Sequence, residues 1–148
     1  MNHLHAIQTL LGQARETREQ AVLRVAEALR HRDNSRQKLS MLEHYRSDYL
    51  SRLQHEFKKM ASTISLTQYG AFVDKLEAAI QQQKEDLGFR EKTLRLVQEK
   101  LIECEKRIRS LELYLEKQLR QLAQIENRRE QKLMDEYAAG LARRMLQN

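Results

Sequence analysis

Proline is absent from this chain of 148 residues, so nothing forbids long uninterrupted helices, which an interior proline would break. The four glycines, Gly12, Gly70, Gly88 and Gly140, lie too far apart to build a phosphate-cradling loop. A single cysteine, Cys104, excludes an internal disulfide and suits a reducing compartment. Tryptophan is missing and aromatics make up only 5 %, a profile of long solvated helices and not of a thick core. No apolar run approaches the ~20 residues of a transmembrane helix. The N-terminal stretch MNHLHAIQTLLGQARETREQ lacks the basic segment and apolar core of a signal peptide. These absences predict a cytoplasmic chain with room for one domain.

What the chain does have is a repeat. Val73, Ile80, Leu87, Leu94, Leu101, Ile108, Leu115 and Leu122 recur every seven positions. Tyr69, Leu76, Gln83, Arg90, Val97, Cys104, Leu111, Gln118 and Ile125 form the interleaved series. They are the a and d positions of a heptad, the mark of a helix that buries one narrow seam against another helix. The first half repeats less cleanly, with Leu4, Leu11, Arg18, Val25, Arg32, Leu39, Arg46, Leu53 and Met60 at a. Its d positions are Ile7, Ala14, Ala21, Ala28, Ser35, Leu42 and Tyr49. Small residues there let a partner backbone approach closely. The seam arginines can lay their stems along the seam while the guanidinium reaches water or a facing carboxylate.

Between the halves, MASTISLTQYG at 60–70 is rich in Ser and Thr and carries no charge. It predicts a turn, with Thr67 as N-cap of the second helix. The expected fold is all-α: an antiparallel two-helix coiled-coil hairpin with a projecting C-terminal helical tail. As one coiled-coil domain over 1–148, it has a helix at about 4–59, a turn at about 60–67 and a helix at about 68–140. At ~1.5 Å per residue the helices reach on the order of 80 and 110 Å. One continuous helix forming a parallel dimer is the alternative. A turn centred near residue 64 sets Leu4 opposite about position 124, so the seam would end with Ile125.

Two features are surplus to such a seam. Residues 126–148 carry a fresh apolar stripe of Leu133, Tyr137, Leu141 and Met145, with Met134 and Ala138 beside it. An isolated amphipathic helix is marginal in water, so this stripe fits either a partner groove or a tail that frays or folds back. Aromatics also gather near the turn at Tyr45, Tyr49, Phe57, Tyr69 and Phe72. Tyr45, Phe72 and Ala79 fall at g positions, which flank the seam. Bordered by Leu42, Tyr49 and Leu76, they form either an apolar edge patch of the kind that anchors partners or a thickened core at the turn.

Chemistry is not in sight. His3 and His5 lack helical metal-binding spacing, His31, His44 and His55 lie far apart, and His55-Glu56 has no second histidine. Cys104 sits at a d position. The net charge of +6 is interleaved with opposite charge, as in Asp74/Lys75 and Glu105/Lys106, which describes a solvated helix face. No basic block leads into the heptads as in a basic zipper. No enzyme activity, cofactor, metal, small-molecule substrate or nucleic-acid partner is expected.

Three stretches, KLSMLEHYRSDYL at 38–50, TQYGAFVDKLEAAIQQQ at 67–83 and RREQKLMDEYA at 128–138, carry a resemblance to the FliJ family. These are coiled-coil stalk components of the bacterial flagellar type III export ATPase complex. Together with length and architecture, the resemblance spans essentially the whole chain. It implies a non-enzymatic protein that binds the hexameric export ATPase and the cytoplasmic domain of the membrane export gate, promoting export of flagellar subunits and flagellum assembly. It also implies association with export chaperones and a peripheral place on the cytoplasmic side of the inner membrane. The implied gate-binding residues are Leu42, Tyr45, Tyr49, Phe72, Leu76 and Ala79. The implied ATPase-ring residues are Leu4, Ile7, Leu11, Arg128, Arg129, Lys132, Leu133 and Tyr137. At Lys38 and Gln83 the chain departs from the pattern, so no role carries over to them. A scaffold or chaperone coiled coil, or the equivalent injectisome stalk, is the alternative reading. The hairpin reading expects a monomer by light scattering in dilute solution, whereas a stable dimer would favour the parallel scaffold.

Overall fold

The computed structural model describes residues 2–57 and 63–147. Two α-helices account for them: α1 over Asn2–Phe57 and α2 over Thr63–Gln147. No strand, cis peptide bond or positive φ occurs among the described residues. All four glycines lie inside helices with no atom within 4 Å of an added Cβ. They are propensity costs and not turns, each about 1 kcal/mol relative to alanine.

The Ser/Thr-rich segment begins α2 earlier than the sequence suggests. Thr63 to Thr67 are already helical, so Thr67 lies within α2 and is not its cap. Residues 60–62 of the expected turn lie outside the described residues. The C-terminal helix runs on to Gln147, past the expected end near 140.

The helices pack against each other, and packing divides the chain into two units: residues 1–17 with 104–148, and residues 18–103. In the first unit Leu11, Ala14 and Ile108 form a buried cluster with Leu111 and Leu115 against it. These contacts define antiparallel layers: Ala14 opposite Ile108, Leu11 opposite Leu111, Ile7 opposite Leu115 and Leu4 opposite Gln118. In the second unit Ala21, Ala28 and Ser35 are buried. Opposite them the same spacing sets Leu101, Leu94 and Leu87. Four small d residues thus meet four large aliphatic ones, the size alternation that fills a seam without voids.

One layer of the second unit is polar. The Ser35 hydroxyl, on a residue only 3 % exposed, donates to Asp86 Oδ2 at 2.7 Å. The Gln83 amide donates to the Ser35 carbonyl at 3.1 Å and to its hydroxyl at 2.9 Å. Every partner is satisfied, so this layer avoids the penalty of a buried orphan and gives the periodic seam a single preferred alignment. The seam arginines do not reach across. Arg18 and Arg32 pair with Glu19 at 3.5 Å and Asp33 at 2.9 Å on their own helix, and Arg90 pairs with Asp86 at 3.7 Å.

This alignment corrects the expected end of the seam. Leu4 faces Gln118 and not position 124, so Leu122 and Ile125 stay 47 % and 51 % exposed. A repeat of seven cannot distinguish alignments seven residues apart, and the polar layer selects between them. Truncating Ile108, 4 % exposed, to alanine should lower the unfolding free energy by roughly 2–4 kcal/mol in urea titrations followed by circular dichroism. Leu122→Ala should change it by no more than about 1 kcal/mol, because half of that side chain is already in water.

Candidate functional site

Two exposed surfaces, one in each unit, lie beyond the seam among the large apolar side chains left unburied. In the second unit an aromatic edge is built where d and g positions of the two helices meet. Tyr49, at d, stacks at a tilt on Phe72 with ring centroids 4.6 Å apart and on Tyr69 at 5.4 Å. Tyr45 meets Phe72 edge-on at 6.3 Å. Such pairs hold the rings in fixed mutual geometry. Tyr45 remains 55 % and Phe72 37 % exposed, so the cluster presents ordered aromatic surface to solvent.

Of the six residues of the predicted patch, ring contacts join Tyr45, Tyr49 and Phe72. Leu76 is buried, and Leu42, Tyr49 and Ala79 are half-buried. Tyr69 was missing from the predicted set although it touches Tyr49. Its d position and its distance from Tyr49, set by the polar layer's alignment, were the signal that could have found it.

The edge has its own electrostatics. The Tyr69 hydroxyl donates to Glu56 across the two helices. That hydrogen bond, and then the carboxylate's charge, hold the Tyr69 phenol above its ordinary 10.0. Tyr49 is raised by desolvation first, and then by the charges of Tyr45 and Glu56.

In the first unit the predicted end residues separate into two kinds. Ile7 and Leu11, each 4 % exposed, belong to the seam and hold the end together, so they do not offer themselves as contacts. Leu4 is half-buried, and Arg128, Arg129, Lys132, Leu133 and Tyr137 are exposed. Near the start of α1, His3 Nε2 shares a 2.8 Å hydrogen bond with the Tyr114 hydroxyl. Beyond Gln118 every described residue of α2 is exposed except Gly140. Leu133, Met134, Tyr137 and Met145 are 65, 72, 70 and 80 % exposed, an apolar face with no partner among the described residues.

No group of three or more potential metal ligands occurs among the described residues. No described helix is long and apolar enough to cross a membrane.

The raised phenols give a pH prediction. A group with a raised folded value contributes stability that is present below 10.0 and is lost as pH climbs through the folded value. Tyrosinate absorbance should therefore show the Tyr49 and Tyr69 phenols ionising above 10.0, with stability falling above that pH. Glu56→Ala should bring the Tyr69 midpoint back towards 10.0.

The family described as the flagellar FliJ protein matches residues 3–147. No curated protein and no solved structure gives a significant match. The family match runs nearly end to end, and the described residues form an all-helical hairpin without strands, which makes this a component of the flagellar export apparatus: the chain belongs to the flagellar FliJ family.

Proposed function

We propose that this chain acts as a stalk-like coiled coil in flagellar type III export, engaging two partners through its two exposed surfaces. The terminal unit docks in the hexameric export ATPase, promotes assembly of the ring and couples its cycle. The Tyr45–Phe72 edge engages the cytoplasmic domain of the membrane export gate, which places the protein at the cytoplasmic face of the inner membrane while it works. Export chaperones are further partners on this reading.

The observation that carries the proposal is the unused apolar surface. A two-helix seam needs neither Tyr45 nor the α2 tail, yet both present large apolar side chains to water. On the tail Arg128, Arg129 and Lys132 lie close to Leu133 and Tyr137 in sequence, a mixture of cations and apolar anchors suited to an acidic-rimmed groove. Leu4 contributes from the facing helix, while Ile7 and Leu11 support the end from inside.

Two variants test the halves separately. Tyr45→Ala combined with Phe72→Ala should weaken binding to the purified gate domain about tenfold or more, because exposed aromatic anchors dominate such interfaces. Stimulation of the ATPase should persist; unchanged gate binding would reject the edge. Deleting residues 129–148 should weaken ATPase binding while the hairpin keeps its helical circular dichroism. Undiminished ATPase binding would reject the tail.

A further inference from the structure

The helical tail of the first unit is organised like half of a second seam. Glu130, Met134, Tyr137, Leu141 and Arg144 follow one another at alternating spacings of four and three, so they share one face of α2. Leu133 and Gly140 flank that face on one side, and Ala138 and Met145 flank it on the other. At this level the a and d series of the hairpin runs through Arg129, Lys132 and Glu136. The stripe is therefore a separate face, turned away from the hairpin seam, and its large apolar side chains are exposed.

The stripe has an order along its length in both charge and size. A carboxylate, Glu130, stands at its N-terminal end and a guanidinium, Arg144, at its C-terminal end. The small residues, Ala138 and Gly140, lie near the middle, and the bulky Leu133 and Met145 lie outside them. Gly140 costs about 1 kcal/mol relative to alanine in a helix interior, and nothing within 4 Å occupies the space of an added Cβ.

A second copy of the tail, turned end for end, matches this order. The flank offsets of the hairpin serve as the template, with His3 beside Tyr114 on one edge and Arg15 facing Glu112 on the other. Carried over to two tails with a two-fold axis beside Ala139, they set Tyr137 of each copy against Leu141 of the other. Leu133 then meets Gly140 and Met145 meets Ala138, large against small as in the hairpin seam. The stem of Arg144 lies on Met134 of the other copy, and its guanidinium reaches Glu130 one turn away. Symmetry makes every contact twice. A parallel pair would instead set Glu130 level with Glu130 and Arg144 level with Arg144, like charge on like, and would leave the space at Gly140 unfilled. Solvated ion pairs of this kind add little affinity, but they select the orientation.

We propose that the tail is a self-association site, in which residues 130–145 pair antiparallel with the same residues of a second copy of this chain. From Glu130 to Arg144 the stripe is about 21 Å long at ~1.5 Å per residue. Such a contact falls short of the ~800 Å² per partner of a stable interface, so the pair is weak. Dilute protein stays a monomer, and pairs form as concentration rises. Any other protein that uses this stripe competes with the second copy. The inference concerns the tail alone and does not depend on the partners proposed above.

Sedimentation equilibrium of the full chain under reducing conditions, from about 1 μM to about 1 mM, should show reversible dimerisation in the upper part of that range. Tyr137→Asp should abolish it, and Leu23→Asp, at an exposed position of α1 outside the tail, should leave it unchanged. Glu130→Arg alone and Arg144→Glu alone should each weaken dimerisation about tenfold, since each sets like charges across the antiparallel pair. An equimolar mixture of these two variants should dimerise as well as the parent, because the mixed pair regains opposite charges on both sides. Helical circular dichroism checks that every variant keeps its fold. A chain that is monomeric throughout the range, or a dimer indifferent to Tyr137 or lost with Leu23→Asp, would overturn the site. A dimer that needs Tyr137 but ignores both single charge reversals would overturn the antiparallel pairing.

Discussion

A seam one or two side chains wide holds this protein together, and its narrowness governs everything else. Two helices that bury only a and d positions have little apolar area to use, so each layer must pack without voids. The chain meets that demand by opposing small residues on α1 to large ones on α2, as at Ala14 and Ile108. Close approach of the backbones follows.

A periodic seam has a second consequence: it cannot set its own alignment. Alignment falls to side chains that break the period, and Ser35, Gln83 and Asp86 do so with directional hydrogen bonds. These bonds contribute modestly to stability, on the order of 1 kcal/mol each, but they are specific. Surface pairs such as Arg15–Glu112 and Arg36–Glu91, at 3.8 and 3.9 Å, are long and solvated, and add little. Specificity here comes from a few buried polar atoms in one unit.

The sequence disclosed the seam almost completely. On α1 the a and d positions from Leu4 to Leu53 are buried or half-buried, including the three arginines, while Glu56 at the last d position is exposed; on α2 the positions from Tyr69 to Gln118 are buried or half-buried too. Periodicity is a local property and survives translation into structure. Alignment is a relation between distant segments, and there the reading slipped: Leu122 and Ile125 were placed in the seam and lie outside it. The Ser35 contacts that decide the matter join residues 48 and 51 positions apart. The aromatic edge was legible because g positions follow from the repeat. The split between supporting and exposed members was not, since Ile7 and Leu76 share hydrophobicity with the exposed residues and differ only in burial. The earlier start of α2 was hidden because Ser and Thr favour turns without excluding helix.

The absence of tryptophan acquires a use once the tyrosines are placed. The chain has five tyrosines and no tryptophan, so its near-ultraviolet emission belongs to the phenols alone. Tyr45, Tyr49 and Tyr69 belong to the aromatic edge. Tyr114 contacts His3 at the start of α1, and Tyr137 lies on the open tail. The aliphatic layers of the seam emit nothing. Quenching and ionisation of tyrosine light therefore report on the candidate surfaces and not on the bulk of the fold, and the unlabelled protein carries its own optical probes where a partner would touch it.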